Sequence, residues 1–207
     1  MNAFWIWLSA GAVYGVFRWW HDNRHGPLRP DEIERMIASF ATTPGADVND
    51  IDGVRRFLAE DDGREFFMLN LIRTQSGEIP HPVTGAPSAA PALLREYIRG
   101  FLPVMVRHAG YPVLQARKIG GYVDAWNVPP DPGWTLAGAM RYRSRRDMLE
   151  LTLDPRFTAA HPFKIVALAA TASFPVAPGI SLLLGPRVWV GLVLALVAAL
   201  LHLAIAT

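Results

Sequence analysis

The chain has 207 residues, 51% of them hydrophobic and only 18% charged, with a net charge of +2. That length fits one domain with appendages, and so low a charged fraction places part of the chain out of water. Mild charge and scattered arginines exclude a nucleic-acid footprint, and the absence of cysteine excludes disulfides, thiolate chemistry and cysteine-held metals.

Residues 3–17, AFWIWLSAGAVYGVF, are apolar and are followed by Arg18, Trp19 and Trp20. A secretory signal carries its positive charge before the apolar core and small residues after it; here that order is reversed. Residues 1–20 therefore read as an uncleaved membrane anchor, with Arg18 snorkelling and the tryptophans at the interface.

Residues 21–52 read as a helical linker. Within them Pro30–Phe40 has acidic residues in its first turn and Ile33, Met36, Ile37 and Phe40 at helical spacing. The stretch TTPGAD breaks that helix, and a second one, carrying Val54, Phe57 and Leu58, spans about residues 50–60. A strand follows at 65–72. The next stretch, TQSGEIPHPVTGAPSAAP, reads as an exposed loop long enough to act as a lid, with His81 as a solvated histidine.

A helix at 92–108 puts Leu93, Leu94, Tyr97, Phe101 and Met105 on one face, bent by Gly100 and Pro103. YPVLQARKI is a second strand and TLAGAMRY a third. Ser144 with Asp147 resembles a capping box for a helix at 145–153. Asp154 and Pro155 start another helix, which Pro162 breaks or kinks, and TASF is a last short strand. Strand, helix, strand, strand, helix, strand is a ferredoxin-like βαββαβ order, an α+β fold with helices on one sheet face and the other face open to a second copy.

Residues 179–187 read as an interfacial turn, broken by Gly185 and Pro186. Residues 188–206, VWVGLVLALVAALLHLAIA, carry no formal charge. At about 1.5 Å per residue they just span a hydrocarbon core of about 30 Å. The basic flanks Arg18, Arg24, Arg29 and Arg187 all border the middle of the chain, so the positive-inside rule places that middle in the cytoplasm and both termini outside.

Strand alternation sorts the side chains. Phe67, Leu69 and Leu71 form an apolar set, as do Leu114 with Ala116, and Leu136, Gly138, Met140 and Tyr142; these are expected against the helices. Asn70, Gln115, Arg117, Thr135 and Arg141 then fall on the open face. There they either line a small-ligand pocket suited to an anionic or carbonyl-bearing molecule, or pair with one another or with a dimer partner.

The stretches FFMLNLIR, REYIRGFLPVMVRHAGYPV and MRYRSRRDMLELTLDPRFTAAHPFKIVALAATASFP resemble a bacterial family of dimeric α+β barrels of unknown function, over residues 53–178. The resemblance implies a homodimer enclosing a barrel, and a bacterial cytoplasmic (inner) membrane for the anchored chain. It carries over Asn70, Arg73, His108, Arg141, Tyr142, Arg145 and His161 as positions of interest. Ala109 stands where the family has glycine, Phe157 where tyrosine is common, and Lys164 where arginine is usual. Relatives of the fold include small monooxygenases and haem-dependent enzymes.

His161 and Lys164 share a helical stripe and could shuttle a proton or bind a carboxylate, with Arg141 as a third catalytic candidate. Asn70, Arg73, Gln115, Arg117 and Tyr142 are the ligand-binding candidates. The sequence holds no protein metal-ligand set, is compatible with a haem held by one histidine, and names no cofactor. Two readings follow: a membrane-anchored enzyme acting on a small hydrophobic, oxygen-bearing molecule, or a noncatalytic ligand-binding or membrane assembly module.

Overall fold

The computed structural model describes residues 2–43, 50–179 and 185–206, which form two compact units, residues 25–177 and the two chain ends. Most of the stretch expected as an interfacial turn, residues 180–184, lies outside the described residues, as does much of the break after residue 43.

The unit made by the chain ends is a pair of helices, α1 (Ala3–His21) and α7 (Pro186–Ala206). Their contacts run in opposite directions along the chain: Trp7 Nε1 donates to His202 Nδ1 at 3.4 Å, Tyr14 Oη to the Arg187 carbonyl at 2.8 Å, and Arg187 Nε to Asp22 at 2.8 Å. Ile6 and Ala198 are buried, and Gly191 lets the Tyr14 ring approach. Elsewhere both helices present large apolar side chains outward, among them Trp5, Val16, Leu192 and Leu203. Among the described residues α7 is the one helix long and apolar enough to cross a membrane; α1 does not reach that measure.

In the other unit, β1 (Phe66–Thr74), β4 (Tyr111–Arg117), β5 (Leu136–Tyr142) and β6 (Leu168–Val176) make one antiparallel sheet in the order β4-β5-β1-β6. The connections are α4 (Ala90–Arg107) between β1 and β4, and α5 (Arg145–Leu153) with α6 (Pro155–Ala167) between β5 and β6. This is the ferredoxin-like order. Both helix starts in the second crossover are capped as the sequence predicts: Ser144 Oγ accepts from the Asp147 amide at 3.1 Å and Asp154 from the Arg156 amide at 2.8 Å. α6 runs through Pro162 unbroken. Gly100 does not end α4; a Cβ there would lie 2.6 Å from that of Ala160, so this glycine sets how closely α4 and α6 cross.

Three expectations need correction. The stretch before β1 is no detached linker: α2 (Pro30–Phe40) and α3 (Ile51–Ala59) bury Ile33, Ile37, Phe40 and Leu58 against Leu149 of α5. The lid-like loop is tied down by a short hairpin of β2 (Ile79–Pro80) and β3 (Pro87–Ser88). There His81 is not simply solvated; its ring accepts from the Val83 and Thr84 amides and meets Phe163 edge-on.

The third correction concerns the sheet faces. Phe66, Met68 and Asn70 align with Tyr142, Met140 and Gly138, and this is the side that packs on Tyr97, Phe101 and Phe157. Phe67, Leu69 and Leu71 lie on the uncovered side with Ala137, Ala139 and Phe174. On β4 a register shift between Pro112 and Leu114 puts Leu114, 53% exposed, on that uncovered side as well.

Candidate functional site

Between the helices and the sheet lies a cavity of about 380 Å³, within the range of small-molecule pockets. The sheet supplies Met68, Asn70, Tyr142 and Ser173; α4 supplies Tyr97 and Phe101; α6 supplies Phe157, His161 and Lys164; α3 closes one side with Val54 and Phe57. Helical spacing explains the α6 contribution, since positions 157, 161 and 164 fall on one face.

The walls are aromatic. Tyr97 stacks on Phe101 with centroids 5.1 Å apart, Phe157 meets both edge-on, and His161 stacks on Phe157 at 5.0 Å. At the floor Asn70 is satisfied locally: its amide nitrogen donates to the Met68 carbonyl at 2.9 Å and its oxygen accepts from Ser173 Oγ at 2.7 Å. An asparagine in an apolar strand thus avoids an unpaired buried amide.

The Lys164 amine lies 5.8 Å from the centre of the Tyr97 ring. It makes no ion pair and no hydrogen bond among the described residues. Asp50, the carboxylate among the lining residues, accepts from the Gly53 amide and pairs with Arg56 instead. Burial pulls the Lys164 amine below its ordinary value, because a low-dielectric surround disfavours the ammonium. Burial also pushes the Tyr142 phenol up, and burial with the neighbouring Tyr142 does the same for Tyr97. Both phenols stay protonated, and both residues line the cavity.

Of the residues singled out in the sequence, the structure brings together Asn70, Tyr142, His161 and Lys164 and leaves the others outside. Arg141 aligns with the opposite face, where it holds Glu65 at 2.6 Å and the Ala109 carbonyl at 2.6 Å. Arg73 donates to the Pro132 carbonyl, and Gln115 and Arg117 are exposed on the edge strand β4. Arg145 lies over the Phe57 ring and donates to the Phe57 carbonyl, tying α5 to α3. His108 stands near Asp147 and Glu150, a set of possible metal donors, but Asp147 is already engaged by Arg143 and Ser144. Sequence reasoning missed Tyr97 and Ser173. The helical stripe of α4 marks Tyr97 as buried, and a hydroxyl on so apolar a stripe was the available signal.

A lysine whose folded pKa lies below its unfolded value binds fewer protons when folded across the interval between the two. Stability therefore rises with pH through that interval. Lys164→Met is expected to raise the thermal midpoint near neutral pH by a few degrees and to flatten that rise, read by circular dichroism melts from neutral to alkaline pH. A lower midpoint at neutral pH would mean the amine stabilises the fold.

These features define an α+β protein with a ferredoxin-like sheet and an aromatic cavity holding one lysine. The sequence matches no protein-family model and no curated protein. The fold is similar to that of a protein of unknown function from Rhodopseudomonas palustris, with TM-score 0.53 and 22% identity over 64% of this chain and 96% of that one. The methylated form of that protein gives TM-score 0.54 at the same identity, over 64% and 93%. A dimeric protein of unknown function and ferredoxin-like fold from Bacteroides fragilis is more distant, with TM-score 0.34 and 11% identity over 54% and 94%.

Proposed function

We propose that this is a membrane-anchored, homodimeric α+β barrel protein whose cavity binds a small hydrophobic, oxygen-bearing molecule and acts on it. The observation that carries the reading is the aromatic cavity with an amine, two phenols and an imidazole and, among the described residues, no carboxylate neutralising the amine. An apolar ligand with one oxygen function satisfies both the walls and these donors. The family suggested by the sequence stretches is part of this proposal, supported by the order of the elements.

The anchor is the α1–α7 pair. Its outward apolar side chains suit lipid, and its charged end, with Arg18, Asp22 and Arg187, suits the headgroups. We place the membrane as the bacterial cytoplasmic membrane, with residues 25–177 in the cytoplasm. Alkaline phosphatase fused after the C-terminus is then expected to be active, and an inactive fusion that is nonetheless made in full would overturn the orientation.

The second reading, a holding module without turnover, draws on the mutual satisfaction of Asn70 and Ser173, which leaves the floor polar but chemically idle. Both readings predict a ligand. Native mass spectrometry of the detergent-purified chain should reveal a co-purifying small molecule, lost in Thr158→Phe, which fills the cavity from α6. A wild-type chain that carries nothing and binds no hydrophobic alcohol or aldehyde would refute both. Consumption of the recovered molecule separates enzyme from module.

A further inference from the structure

We propose that Lys164 captures the ligand covalently, as a reversible imine with the carbonyl carbon of an apolar aldehyde or ketone. This rests on the cavity being a small-molecule site and names the class of molecule it takes.

Three observations converge on the amine. First, it reaches an aromatic cavity beside the Tyr97 ring, and among the described residues no carboxylate holds it as an ammonium. A lysine kept for an ion pair would have its partner, as the chain's other lysine does: Lys118 is bound to Asp131 and lies over Tyr122. Second, burial favours the neutral amine, the form that is nucleophilic. Third, the chemistry around it fits the step. His161 sits one turn earlier on the same face of α6, and the protonated phenols of Tyr97 and Tyr142 face the same space.

The step balances without any co-reactant. The Nζ lone pair adds to the carbonyl carbon, the carbonyl π pair moves to oxygen, and the oxygen takes a proton while the nitrogen gives one up. His161 is the group placed to carry that proton. The resulting carbinolamine then loses its hydroxyl with a proton as water, and the nitrogen lone pair closes the C=N bond. Nothing is oxidised or reduced. A phenol donating to the carbonyl oxygen would stabilise the developing negative charge in the addition.

The sequence makes the test unusually clean, because Lys118 and Lys164 are its only lysines. The full chain in detergent is incubated with benzaldehyde and sodium cyanoborohydride, then mapped by peptide mass spectrometry. The expected result is one benzyl group per chain on the Lys164 peptide, at least tenfold faster than on Lys118 or the N-terminal amine. Excess benzyl alcohol, which fits the cavity but has no carbonyl, should slow it. Lys164→Met, with its fold confirmed by circular dichroism, should lose the label. Labelling that is equal at Lys118, or no labelling while benzyl alcohol still binds, overturns the imine and leaves the cavity reading standing. Failure of both molecules to bind overturns the cavity reading itself.

Discussion

Glu65→Ala is expected to lower the stability of the α+β unit by about 3–5 kcal/mol, and by more than Arg141→Met does. Arg141 is fully buried, at 0% exposure, whereas the Glu65 side chain is 23% exposed. Glu65 accepts from both Nε and Nη2 of the guanidinium, at 2.9 and 2.6 Å, in a geometry that fixes the head group. A guanidinium cannot shed its proton, so removing Glu65 leaves a cation in the interior without that carboxylate. Removing the arginine instead leaves a carboxylate that water can reach, and methionine retains the packing over the Tyr111 ring. The same guanidinium donates to the carbonyl of Ala109, whose φ of 54° is costly for a residue with a Cβ. Thus Arg141 also pins the strained link between α4 and β4. Chemical denaturation of the two variants checks the ordering; a milder loss in Glu65→Ala would mean the charge finds other compensation.

This explains how a residue that reads as catalytic becomes structural. On a strand that reads Leu-Ala-Gly-Ala-Met-Arg-Tyr, an arginine looks out of place and invites a functional account. Its partner, Glu65, lies just before β1, and only the β1–β5 register brings the two strands together. Pairings of that separation leave no local mark in a sequence. The element order, the caps of α5 and α6 and the His161–Lys164 stripe did leave such marks, because each depends on residues within one or two turns.

The sheet faces were illegible for a different reason. A sheet covered by helices on one side and left water-exposed on the other shows its core side by apolarity alone. Here Phe67, Leu69 and Leu71 are as apolar as the opposite set, and more so than a strand side carrying Asn70. On β1 and β4 the apolar rule therefore chose the wrong face, whereas on β5 it put Met140 and Tyr142 on the helix side, where they lie. The polar residue marked the inner side because that side holds a cavity, and an aromatic cavity tolerates a paired amide.

That inversion gives the dimer proposal its sharpest test. The uncovered face carries Phe67, Leu69 and Leu71 of β1, Leu114 of β4 and Phe174 of β6, the last 46% exposed. An apolar surface carried on β4, β1 and β6 is costly in water, and a two-fold partner would cover it. Of the two cations aligned with this face, Arg141 is turned into the protein towards Glu65, while Arg73 lies exposed towards one end of β1. Leu69 lies centrally, between Ala139 of β5 and Phe174 of β6. Leu69→Asp would bury a carboxylate of each copy in the middle of that apolar contact. The expected outcome is a weakening of the dimer on the order of a hundredfold, the scale of a central anchor residue. Analytical ultracentrifugation in detergent, with circular dichroism to confirm the fold, reads it. A wild-type monomer, or a dimer indifferent to Leu69→Asp, would send the search for the partner elsewhere. The cavity would stand, since it opens on the other side of the sheet and draws none of its lining residues from this face.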